Sequence, residues 1–154
     1  MVGAFTLGAV VLAGQLGLFA GTAPADLGVH NGRLKPPSLQ PNSVSSETGL
    51  YPEHPQKAYA AIAPLRYTGS GEAAMARLGA LVRGIERTRV VTQDGSYLYA
   101  QSTTLLMHFT DDLEFRLDAS ASVIQVRSAS RLGEIDFGVN RARVEKIRAA
   151  FGSP

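Results

Sequence analysis

FTDDLEFRLDASASVIQVRSASRLGEIDFGVNRARVEKIR, running from Phe109 to Arg148, decides the fold. Leu113, Phe115 and Leu117 alternate with Asp112, Glu114, Arg116 and Asp118. Ile124 and Val126 alternate with Gln125 and Arg127. A period of two places one apolar and one polar face on each segment, as a half-solvated antiparallel sheet requires. A helix is expected from Asn140, whose side chain suits the cap position. Val139 and Val144 are placed as a hydrophobic staple across that start. Val144, Ile147 and Phe151 continue the buried stripe, while Arg141, Glu145, Lys146 and Arg148 face outward; Gly152 and Pro154 end the helix.

Working back along the chain, Asp94-Gly95 separates two strand-like runs, Arg87 to Gln93 and Ser96 to about Phe109. A DG dipeptide in that setting predicts a two-residue hairpin. Before it, Ser70 reads as the cap of a helix with Ala74, Met75, Leu78, Leu81, Val82 and Ile85 on one face. The order is helix, four strands, helix. This predicts an α+β domain with an antiparallel sheet of about four strands covered by two helices. An N-terminal transmembrane or signal helix is expected to precede it.

The densest polar chemistry lies between the last strand and the last helix. Arg127, Ser128, Ser130 and Arg131 sit at the strand end, Asp136 and Asn140 across a short loop, and Arg141 in the first helical turn. Guanidinium groups beside a helix N-terminus form a candidate site for an anionic group or a partner. The structural alternative pairs Arg131 with Asp136 and spends the serines on loop backbone. Asp111, Asp112 and Glu114 read as a turn and a solvated strand face rather than as a metal or acid/base cluster, because alternation separates Asp111 from the other two. His30, His54 and His108 lack ligand spacing, so no metal site is expected. The sequence has no cysteine, which removes thiol chemistry and disulfides. No nucleophile elbow, P-loop or dinucleotide fingerprint occurs. No catalytic residues and no cofactor are expected.

The block from Phe109 onward resembles a pattern close to FVDDVEF…VIxVRSASRxGxxDxGVNRxRVExIR, carried by the DUF1499 family. LKPPSLQPNSVSS, from Leu34 to Ser46, is similar to a second family element, LxPCPxSPNCVSS. Leu34, Pro41, Asn42, Val44, Ser45 and Ser46 stand as in that element. The family's two cysteines fall on Pro37 and Ser43, so a thiol role in relatives cannot apply to this chain. The resemblance covers about Leu27 to Phe151. It implies an envelope or membrane-associated protein without an assigned activity.

Residues 1–25 carry no charged side chain. The length suits a bilayer span, which needs roughly 20 apolar residues. A retained anchor is favoured over a signal peptide cleaved after Ala23-Pro24-Ala25, because the basic n-region is missing and the apolar stretch exceeds roughly 7–15 residues. Ala9, Ala13, Gly17 and Gly21 recur every fourth position, so on one continuous helix they would form a small-residue packing face. Residues 26–55 read as a Pro-rich tether and 56–154 as the folded domain. Formal net charge is +2, too small to argue for nucleic acid.

Together these features lead to three expectations. The first is a non-catalytic, membrane-anchored accessory module that binds another membrane protein or complex. The second is a lipid or anionic small-molecule binder, and the third a hydrolase with no recognisable motif. The bacterial cell membrane, with the domain on the periplasmic side, is the expected location; secretion after signal cleavage is the alternative.

Overall fold

The computed structural model describes residues 2–152. Helix α1, Val2–Gln15, opens the chain. Short strand β1 (Ser43–Ser45) precedes a 3-10 turn (Thr48–Leu50), a single helical turn α2 (Lys57–Ala60) and short strand β2 (Leu65–Arg66). Helix α3 (Gly71–Arg83) follows. Four longer strands come next: β3 (Thr88–Gln93), β4 (Tyr97–Thr103), β5 (Thr110–Asp118) and β6 (Val123–Ser130). Helix α4 (Val139–Gly152) closes the chain. Among the described residues the sheet has six strands, against about four expected, in the order β1-β6-β5-β4-β3 with β2 also on β6, and the named strands pair antiparallel. The outer edge of β6 is shared end to end, with β1 along Arg127–Ala129 and β2 along Val123–Ile124.

One face of this sheet is the apolar face that alternation predicts. Leu98, Ala100, Leu113, Phe115, Ile124 and Val126 form a single core with Met75, Leu78 and Val82 of α3 and Val144, Ile147 and Phe151 of α4. Ser70 caps α3 by accepting from the Ala73 amide. Arg77 turns back over the Phe151 ring, 4.2 Å from its centroid.

Several expectations are corrected. The hairpin tip is shifted by one residue: the Asp94 amide donates to the Tyr97 carbonyl at 2.9 Å, so the two central residues are Gly95-Ser96 rather than Asp94-Gly95. The Asp94 carboxylate accepts from the amides of Ser96 and Tyr97 and shapes it. The strand after it stops at Thr103 rather than near Phe109. The chain turns through 104–108, with His108 in a left-handed conformation (φ 52°), and restarts as β5. Val139 is 43% exposed and already inside α4, whose first amides Asp136 caps, so it does not hold the position before the cap that a staple needs.

The expected membrane-spanning helix is also corrected. No helix among the described residues is long and apolar enough to cross a membrane. At ~1.5 Å per residue, the 14 residues of α1 reach about 21 Å, against about 30 Å of hydrocarbon. Its stop is local. Leu18 N–H donates to the Ala13 carbonyl and Gly17 N–H to the Gly14 carbonyl, with Gly17 at φ 81°. This is a Schellman ending, and glycine takes that left-handed position at low cost. Gly17 and Gly21 (φ 62°) thus lie past the helix, so Ala9, Ala13, Gly17 and Gly21 do not share one helical face.

The stretch read as a tether is packed into the domain. Leu34, Asn42, Ser43, Val44, Ser45 and Glu47 are all buried, and β1 belongs to the sheet. Proline removes ladder donors but does not prevent a segment from lying across a sheet face. Ser43, where the resembling pattern has its second cysteine, accepts from the amide of Ser38, next to the first such position, Pro37.

Candidate functional site

The sheet splits the expected polar set in two. Along β6, Arg127 and Arg131 bracket the polar face, whereas Ser128 and Ser130 project toward α4. The seven residues therefore form two networks rather than one cleft.

On the polar face, every central charge has an opposite partner. Register brings Glu114 opposite Arg127, and their side chains lie 3.4 Å apart with exposures of 0% and 4%. Glu114 also accepts from the Tyr97 hydroxyl and the Gly28 amide, each at 2.8 Å. Burial holds the Arg127 pKa below its usual value against the opposing pull of Glu114 and Asp112. Arg131 does not meet Asp136. Its Nε and Nη2 close on Asp112 at 2.7–3.1 Å, and Nη2 also donates to the Tyr99 hydroxyl. The Asp112 hydrogen bond raises the Arg131 pKa further. At the far end, Arg116 pairs with Glu47 at 2.6 Å. Burial first, and the neighbouring carboxylates second, push the Tyr97 and Tyr99 hydroxyls above their ordinary range.

These pairs are buried because the N-terminal segment lies over them. Arg131 Nη1 donates to the carbonyls of Ala20 and Gly21, and Arg127 Nε to that of Pro36. Glu47 accepts from the Leu34 amide at 2.7 Å. The polar face is thus a clamp that fixes residues 20–47 to the sheet. Desolvated charges tolerate that only when paired and hydrogen-bonded.

On the helix side, Asn140 is the hub and is fully buried. Its Oδ1 accepts from Ser128 at 2.5 Å and from Arg143 at 3.0 Å. Its Nδ2 donates to Ser130, to Asp136 and to the Asn42 carbonyl. Capping falls to Asp136 instead, which accepts from the Gly138 and Asn140 amides and from the Tyr59 hydroxyl. Burial alone would raise the Asp136 pKa, but these donors outweigh it and lower it. Arg143 reaches Asp111 at 2.6 Å. Arg141 donates to the Tyr59 and Ala61 carbonyls, and Arg148, two turns on, to those of Ala63 and Pro64.

Arg143, Tyr59, Asn42, Tyr99, Glu47 and Arg116 are members that pattern reading missed. A period-of-two count gives the face of each strand residue but not the cross-strand register that pairs them. The arginines of this set are engaged by acceptors of the protein itself, an arrangement suited to holding segments together. Among the described residues, no group of three or more His, Cys, Asp or Glu side chains could hold a metal.

A family model described as "Protein of unknown function (DUF1499)" matches residues 33–151. No curated protein and no solved structure matches the chain. The match takes in the whole sheet and the side chains of both networks, but not Ala20, Gly21 or Gly28, whose backbone groups complete the polar face. The chain belongs to that family.

Proposed function

We propose, with that membership as the premise, that the chain is a non-catalytic membrane-anchored module serving as an accessory or partner-binding subunit of a membrane protein complex. The observation that carries this reading is how the charge-free N-terminus is seated. Gln15 Nε2 donates to the carbonyls of Leu105 and Leu106, and Phe19 stacks on Phe109 at 5.4 Å. Ala20 and Gly21 then bind Arg131, itself locked by Asp112. An apolar segment held this firmly to a folded domain sets the height and orientation of that domain at a bilayer. Cleavage after Ala25 would remove Phe19, Ala20 and Gly21 from contacts the domain is built to make, which favours a retained anchor over a signal peptide. Because α1 alone is shorter than the hydrocarbon core, the anchor in this reading enters the bilayer from one side. The periplasmic face is the proposed location.

A second reading, an anionic amphiphile as ligand, is favoured by one feature. Between α3 and α4 a cleft has Leu81, Ile85 and Ile147 in its lining, with Lys146, Arg87 and Arg143 around them, the two arginines also paired with Glu86 of the lining and with Asp111. Gentle solubilisation of the full chain from membranes, followed by identification of what co-purifies, separates the readings. A defined protein assembly supports the first, and a stoichiometric anionic lipid the second. A chain recovered alone in the aqueous fraction contradicts both.

A further inference from the structure

Large apolar side chains that nothing among the described residues covers gather at one end of the sheet. Leu105 and Leu106, on the β4–β5 turn, are each 62% exposed; Ile135 and Phe137, on the β6–α4 loop, are 56% and 91% exposed. Register makes the two connections neighbours. Thr103 pairs with Thr110 and Asp111 with Ser130, so turn and loop leave the same end of the sheet. The N-terminal segment arrives there too. Gln15 binds the turn at Leu105 and Leu106, and Gly21 lies against Arg131 and Leu132 at the base of the loop. Leu16 and Leu18, next to it, are 72% and 69% exposed.

The display is held rather than loose. Phe137 has φ 51°, a left-handed conformation that aromatic residues rarely adopt. It is kept there by its neighbour Asp136, which is 8% exposed and bound to Tyr59, Gly138 and Asn140. With Asp136 fixed inward, Phe137 points out. The turn is closed by Thr104, whose amide donates to the Phe109 carbonyl and whose hydroxyl accepts from the Phe109 amide. Scattered exposed apolar residues need no explanation, but a cluster on two neighbouring, hydrogen-bonded connections marks a contact surface.

We propose that this end is a membrane-docking rim, with Phe137, Ile135, Leu105 and Leu106 entering the headgroup–acyl boundary of a lipid bilayer beside α1. This rests on the membrane-anchored reading and adds which residues of the domain meet lipid. Lipid is the occupant because the segment that reaches this end through Gln15 and Gly21 carries no charged side chain anywhere in residues 1–25. Arg87, Arg89 and His108 line the surface beside the turn, with Arg87 also paired with Glu86 and Arg89 bonded to Gln101. Glu134 is the one acid within the loop between Arg131 and Gly138 apart from the buried Asp136. Leucine and phenylalanine backed by basic residues are the composition of an interfacial contact.

The chain contains no tryptophan, so Phe137→Trp in the full chain introduces a single reporter at an exposed site. The probe is vesicles of phosphatidylethanolamine and phosphatidylglycerol, with and without bromine on the acyl chains. The expected result is blue-shifted emission on binding and quenching by the brominated chains. Phe137→Ser and Leu106→Ser should each weaken vesicle binding about tenfold or more, from the apolar area no longer buried. If the chain floats with vesicles but the reporter emits as in water, the rim is overturned and the anchored reading stands. If the reporter is shielded only by a co-purifying protein or a second copy of the chain, the lipid assignment is overturned. If the full chain does not bind vesicles at all, both the rim and the anchored reading fail.

Discussion

Replacing Arg131 by alanine removes the residue on which the clamp over the polar face turns. Its side chain is 7% exposed and that of Asp112 2%. The substitution deletes three guanidinium contacts to Asp112, at 2.7, 3.0 and 3.1 Å, and those to Ala20 and Gly21. What remains on Asp112 is the hydroxyl of Tyr99 at 2.6 Å. A buried carboxylate stripped of its cation costs roughly 3–5 kcal/mol. For a chain of this size that corresponds to a drop in melting temperature of roughly 10–15 °C. Urea denaturation gives the free energy directly. Arg87→Ala is the control, because the exposed Arg87–Glu86 pair at 3.1 Å should be worth no more than about 1 kcal/mol. Limited proteolysis adds an independent reading, since the segment around Ala20 to Gly28 should become cleavable while the core resists. A loss below about 1 kcal/mol in Arg131→Ala, with no new cleavage, would refute the clamp.

Asn140→Ala should cost on the order of 3 kcal/mol by chemical denaturation, since Ser128, Ser130 and the Asn42 carbonyl all lose a buried partner. Gly14→Ala should lift α1 from the β4–β5 turn, because a Cβ there would lie 2.6 Å from the Met107 carbonyl oxygen; faster amide exchange over residues 13–20 with an unchanged core reports it. Tyr97 and Tyr99 have folded pKa values above the ordinary 10.0. Their contribution is intact below about pH 10 and is lost as pH rises from there toward the folded values, because the unfolded chain releases those protons first. Urea unfolding followed through pH 9–11 should therefore show falling stability, with a shallower fall in Tyr97→Phe.

What the sequence made legible follows from which signals are local. The apolar alternation at Leu113, Phe115, Ile124 and Val126 and the helical spacing of Met75, Leu78 and Val82 carried the core face, and all seven are in the core. Asp112, Glu114 and Arg127 alternate just as clearly, yet alternation cannot distinguish water from a covering segment as the neighbour of a polar face. That distinction depends on Leu34, Pro36 and Glu47, far away in sequence, returning over the sheet. Arg131 illustrates the same limit: Asp136 is close along the chain, but the side-chain parity of β6 sends Arg131 to Asp112 across the sheet. Gly17 was ambiguous for a different reason. In an apolar run glycine serves equally as a packing surface and as a helix stop, and only the left-handed φ decides between them.

In the proposed reading the charge-free N-terminal segment stays on the mature chain and holds this domain at a membrane. Carbonate extraction of membranes from cells making the full chain, followed by intact mass of the protein in each fraction, tests it most directly. The expected result is a membrane fraction containing a chain that retains the residues through Ala25. A soluble chain beginning at Asp26 would contradict it.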